Sequence, residues 1–174
     1  MKLTRRDALA SLASVGIVVG GGAAFLASDT DGTDVSRTQL VETMAAVAEV
    51  IYPTDVSGIH AFVETYLTEK AAARPAYRSH LGRAVAELNE TAVEWYDAPV
   101  SALPVEVREQ LLKEMGLPEA DPSSDPDATT ARRLRYYIWN DLQYALYASP
   151  TGGRLVGIEN PQGHPGGLSY TDQP

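Results

Sequence analysis

Apolar residues recur every three or four positions through most of this chain, the period of a helix with one face turned to a core. Leu40, Met44, Val47 and Ile51 share one side of a helix predicted from about Ser36 to Ile51, and Pro53 ends it. A second helix, about Ile59 to Ala73, groups Phe62, Val63, Tyr66 and Leu67 before Pro75. The third, about Ala76 to Tyr96, carries the longest stripe: Tyr77, Leu81, Ala84, Val85, Leu88, Ala92 and Trp95. Pro104 suits the first turn of a shorter helix reaching Met115, with Val107, Leu111 and Leu112 inward and Gly116 as its stop. A last helix, about Thr130 to Ala148, presents Leu134, Ile138, Leu142 and Leu146.

Punctuation separates these stretches. Leu117 to Ala128 holds Pro118, Pro122 and Pro126 among acids and reads as a loop. Ser149-Pro150-Thr151-Gly152-Gly153 reads as the break after the last helix, and Gly157 to Pro174 is too rich in Gly and Pro for regular structure. No strand pattern or repeat competes. The expected fold is therefore all-α, a small bundle of about five helices over residues 36–174 with a Gly/Pro-rich C-terminal tail.

The first 27 residues follow a different rule. Lys2, Arg5 and Arg6 precede an uncharged stretch from Ala8 to Ala27, and Thr4-Arg5-Arg6-x-x-Leu9 resembles the twin-arginine export signal. Residues 1–27 are accordingly expected to direct export by the twin-arginine route, with Arg5 and Arg6 as the signal motif and an extracytoplasmic, cell-surface or membrane-associated destination. Residues 8–27 are about as long as a bilayer is thick, so an uncleaved N-terminal anchor and membrane association stay open beside cleavage. Residues 28–35, polar and acidic, read as a flexible spacer before the domain.

Charge narrows the partners. The net charge is −9, and Lys2, Lys70 and Lys113 are the only lysines. A nucleic-acid partner is excluded, since affinity for a phosphate backbone comes from Lys and Arg displacing counterions. An acidic, lysine-poor surface suits concentrated salt, where self-repulsion is screened within about 3 Å at 1 M, so a halophilic source is expected beside the plainer reading of an acidic mesophile. There is no cysteine, which excludes disulfides, thiolate metal sites and iron–sulfur clusters held by this chain.

Candidate chemistry is sparse. His60, His80 and His164 lie far apart, none paired with a carboxylate or another histidine at ligand spacing, so no metal site is expected. No nucleophile elbow, phosphate-binding glycine loop or dinucleotide fingerprint occurs, and flavin and nicotinamide folds need parallel strands that the pattern does not supply. No catalytic or cofactor-binding residue is assigned. Arginines and large aromatics crowd together in one place, Arg132 to Trp139 and on through Tyr144 and Tyr147. At about 100° per residue these aromatics fall on several faces, more than one small core can easily receive. Part of the helix reads as core. The rest reads as a partner surface, with Arg135, Tyr136, Tyr137, Trp139, Tyr144 and Tyr147 as candidates, because Arg, Tyr and Trp are enriched where proteins bind one another.

Leu146-Tyr147-Ala148-Ser149-Pro150-Thr151-Gly152-Gly153, followed by Leu155-Val156-Gly157-Ile158, resembles the close of the gluconate 2-dehydrogenase subunit 3 family, and Val47 to Asp55 is similar to its opening, where a helix ends in Ile-x-Pro and an acid. Gly157 to Asn160 departs from it where an aromatic is common. The resemblance implies a non-catalytic, mostly helical accessory subunit that assists export and assembly of a separate FAD-dependent dehydrogenase of the glucose-methanol-choline type, acting on gluconate, another sugar acid or an alcohol. The FAD would belong to that flavoprotein partner, and a cytochrome subunit often accompanies it. The alternative from the residues alone is a self-sufficient secreted binding protein or enzyme with a site among Tyr136, Trp139 and His164.

Overall fold

The computed structural model describes residues 1–17 and 35–157. Seven helical stretches follow in order: α1 (Arg5–Ala13), α2 (Arg37–Ile51), α3 (Ile59–Ala73), α4 (Pro75–Tyr96), α5 (Val105–Glu114), α6 (130–147) and α7 (Pro150–Leu155). A 3₁₀ turn, Val100–Ala102, joins α4 to α5, and α6 passes through a π-helical segment, Arg135–Trp139. The five helices read from periodicity are α2 to α6. The Gly/Pro-rich tail lies outside the described residues apart from Gly157.

Each boundary has a local cause. Ser36 Oγ accepts the Gln39 N–H to start α2, and Tyr52, extended before Pro53, stops it. Pro75 opens α4 at a position where its missing N–H costs nothing, and Asp97, at φ 57°, turns the chain out of it. The core is continuous: Leu40, Met44 and Val47 of α2, Phe62, Tyr66 and Leu67 of α3, Leu81, Val85 and Leu88 of α4, Leu111 and Leu112 of α5, and Leu134, Ile138 and Leu142 of α6 are all buried. Trp95 corrects the sequence pattern. Its stripe is helical to the end, but the packing on that face stops at Ala92 and Trp95 is 46% exposed; the next fully buried apolar residue is Val100, which opens the 3₁₀ turn.

Both ends of the chain hold helices that periodicity missed. After α6 the segment read as a break is instead the N-terminus of α7: Ser149 Oγ accepts the Gly152 N–H and Pro150 takes the first turn. A side chain at Gly152 would not fit, since a Cβ there would lie 1.8 Å from the Leu146 carbonyl oxygen.

The N-terminal residues, expected to stand apart from the domain, are folded onto it. Thr4 and Asp7 form a reciprocal capping box that starts α1, and Leu3, Ala8, Leu12 and Ile17 are buried against α3, α6 and α7. Ahead of the helix the chain pairs with the α2–α3 loop: Leu3 N–H donates to Ser57 O and Ser57 N–H to Met1 O, each at 2.8 Å. Gly58, at φ 77°, permits this approach, for a Cβ there would sit 2.4 Å from the Leu3 carbonyl oxygen. The sequence signal for this helix is Thr4-x-x-Asp7, which overlaps the targeting motif at Thr4. Of the spacer at 28–35 only Val35 is described, and it is buried; of residues 8–27, only those to Ile17 are described.

Candidate partner interface

α6 carries the residues singled out as a partner surface, and its π-helical segment holds Arg135, Tyr136, Tyr137 and Trp139. The Asn140 N–H donates to Arg135 O, one residue further back than in an α-helix. The wider turn changes the angular step, so aromatics that would spread evenly at 100° per residue are sorted into buried and exposed sets.

Tyr137 belongs to the core and offers no free face. It is 8% exposed, stacks on His80 with ring centroids 5.5 Å apart, meets the edge of Tyr136 at 4.9 Å, and donates its hydroxyl to Ser124 O at 3.2 Å. Its hydroxyl is pushed above the ordinary tyrosine range, first by burial and then by Tyr136. Trp139 is half-buried under the Arg135 guanidinium, 5.0 Å from its ring, and Arg135 Nη1 donates to Leu117 O at 3.4 Å. Arg135 Nε and Trp139 Nε1 are buried without an acceptor among the described residues. Tyr136, Tyr144 and Tyr147 remain exposed at 44%, 37% and 42%. Tyr144 and Tyr147 lie about one turn apart on one face, and the Tyr144 hydroxyl is 2.6 Å from Ser14 Oγ just beyond α1.

The inner side of α6 holds a polar cluster that the sequence reading did not find. Asp141, 8% exposed, accepts from Tyr66 at 2.9 Å, and also from Lys70 and Tyr77. Lys70 Nζ donates to the Tyr66 hydroxyl at 2.9 Å and lies over the Tyr77 ring at 4.3 Å. Burial, and then the Asp141 charge, push the Tyr52 and Tyr66 hydroxyls above the ordinary tyrosine range, and the same two causes act on Tyr77. Tyr52 in turn donates to Leu142 O at 2.8 Å. One carboxylate thus ties α3, α4 and α6, accepting a hydrogen bond from each of three neighbouring side chains. It has no open side for a substrate, and its chemistry is that of a joint.

Other candidates place as follows. Arg5 and Arg6 are exposed on the first turn of α1, with Arg5 Nη2 only 3.9 Å from Glu64. His60 is exposed, His80 is stacked on Tyr137, and His164 lies outside the described residues. A small cleft of about 90 Å³ beside His80 is closed by Arg133 pairing with Glu87 at 2.8 Å, well below the several hundred Å³ of a typical ligand pocket. Among the described residues there is no group of three or more His, Asp or Glu that could hold a metal, and no helix long and apolar enough to cross a membrane.

The family model described as gluconate 2-dehydrogenase subunit 3 matches residues 39–166. This chain belongs to that family. The match begins inside α2 and takes in Lys70, Asp141 and all of α6, so the buried joint and the exposed tyrosines both lie within the family domain. The docked N-terminal helix precedes it. No curated protein and no solved structure matches the chain.

Proposed function

We propose that this chain is the small accessory subunit of an exported FAD-dependent dehydrogenase acting on gluconate, a related sugar acid or an alcohol, and that it assists export and assembly of the flavoprotein rather than turning over substrate. The observation that carries the reading is the subunit 3 family match over residues 39–166, which includes a helix with Tyr136, Tyr144 and Tyr147 on its solvent side. Exposed tyrosines of this kind bring large contact area at low entropic cost, as binding surfaces do. The flavoprotein partner carries the FAD, and a cytochrome subunit can accompany it. Arg5 and Arg6 serve export by the twin-arginine route, and the acidic, lysine-poor surface suits concentrated salt outside the cytoplasm.

Co-expression with the flavoprotein encoded beside it tests this reading. The expected result is a complex that co-purifies with a flavin spectrum, while the chain alone is colourless and inactive on gluconate. Turnover by the chain alone, or failure to retain any flavoprotein, would overturn it.

A further inference from the structure

The segment bearing Arg5 and Arg6 is built into the fold by contacts that bury Leu3, Asp7, Ala8 and Leu12 and leave both arginines outside. Leu3 is 1% exposed, Ala8 and Leu12 0%, and Ile17 7%, whereas Arg5 keeps 72% of its side-chain surface in water. An apparatus in the membrane that reads the arginine pair can reach it on the folded protein. It cannot reach Leu3 or Leu12 unless α1 leaves the domain.

One residue fastens the helix at both levels. Asp7 Oδ2 closes the capping box, accepting from the Thr4 backbone N–H at 2.9 Å and from the Thr4 hydroxyl, so it supports α1 itself. Its other oxygen, Oδ1, accepts the Thr151 N–H of α7 at 2.9 Å, across 144 residues of chain. Asp7 is 7% exposed. Its site is shared with Thr4, exposed, and Thr151, buried. A second attachment, the Leu3–Ser57 pairing over Gly58, holds the residues ahead of the helix.

We propose that α1 is a displaceable part of the fold, latched by Asp7 to the start of α7, and that release of this latch is the step that hands the export segment from its own domain to the export apparatus. The arginine pair is offered first, and the apolar residues follow when the latch opens. The proposal rests on the export reading of Arg5 and Arg6, but the latch is a property of the folded chain and can be measured without export.

Hydrogen exchange on the full chain reads the latch directly. In the wild type the amides of α1 are protected; in Asp7→Ala, which removes three hydrogen bonds, they exchange at least about fivefold faster, the low end expected for leaving a buried donor unpaired, while those of α3 and α4 are unchanged. Open α1 amides in the wild type would overturn the latch. Translocation into membrane vesicles then reads its role. Asp7→Ala is expected to enter faster than wild type. Because the chain has no cysteine, the pair Lys2→Cys with Ser57→Cys gives a second variant that keeps Asp7: oxidised, it should stall, and reduced, it should recover. Equal entry of the oxidised, reduced and wild-type proteins would overturn the handover. If Arg5→Lys with Arg6→Lys enters normally, the export reading falls, and the exchange result still stands.

Discussion

Asp7 and Asp141 are both buried carboxylates, at 7% and 8% exposure, and they are satisfied in opposite ways. Asp141 is held by side chains from two other helices, Tyr66 and Lys70 of α3 and Tyr77 of α4, all inside the family domain. Asp7 is held by its own cap, Thr4, and by a single amide, Thr151, from elsewhere. Removing Asp141 leaves two phenols without an acceptor and a buried ammonium with only the Tyr66 hydroxyl, and three helices lose their common contact. Removing Asp7 takes from one short helix its cap and its hydrogen bond to α7. The difference separates a permanent joint from a releasable one, and it follows the edge of the family match, which begins at residue 39.

The largest expected effect is therefore at the joint. Asp141→Ala should cost about 3–5 kcal/mol, the cost of stranding the partner of a buried ion pair, read as a lower urea midpoint. Replacing the pair by Asp141→Leu with Lys70→Met should recover only part, because Tyr66 and Tyr77 still lack an acceptor. Adding Tyr66→Phe and Tyr77→Phe should recover most of the rest. Full recovery by the apolar pair alone would mean that the phenols are satisfied some other way.

Alkali sharpens the same point. Tyr52, Tyr66 and Tyr77 have folded values above the unfolded value near 10, so the folded state holds protons that the unfolded chain gives up. The stability they contribute is complete below pH 10 and falls as pH rises above it. The tyrosinate absorbance that Tyr52, Tyr66 and Tyr77 contribute, read as the difference from a variant with all three changed to Phe, should thus grow with loss of helical dichroism, not before it. Ionisation of these three with the helices intact would contradict the buried placement.

Acid acts on the weaker joint. Burial raises the Asp7 carboxyl and the hydrogen bonds from Thr151 and Thr4 lower it, and the net folded value lies below the ordinary 3.8. Its contribution is present above about pH 4 and is lost as pH falls through the folded value. Protection of the α1 amides relative to their intrinsic exchange should fall across that window in wild type. In Asp7→Ala the fall should be absent, with a stability loss of about 1–3 kcal/mol already present at neutral pH.

The sequence showed the bundle well because α2 to α6 each carry a stripe at helical period. It hid the two terminal helices for different reasons. Ser149-Pro150 has the residues of a turn and equally those of an N-cap followed by a first-turn proline, and only the packing of Gly152 on Leu146 decides between them. Thr4 to Asp7 serves two codes at once. Lys70 could have been noticed, since it continues the Phe62–Tyr66 stripe at i+4 and so places a charge on an apolar face. Its partner Asp141 lies 71 residues away, a distance that no local pattern spans. Among the aromatics of α6 the sequence indicated an excess for one core. Which ones were surplus depended on the π-helical turn, which turns Tyr137 inward and leaves Tyr136 out.

The central claim, that this is an accessory subunit binding a flavoprotein through α6, is tested most directly by the dissociation constant of the purified pair. Tyr144→Ala with Tyr147→Ala removes exposed rings together with the Tyr144–Ser14 hydroxyl contact, and the melting temperature should fall only slightly. The account predicts at least about 30-fold weaker binding, the equivalent of about 2 kcal/mol at a hot spot. Wild-type affinity in that variant would contradict it.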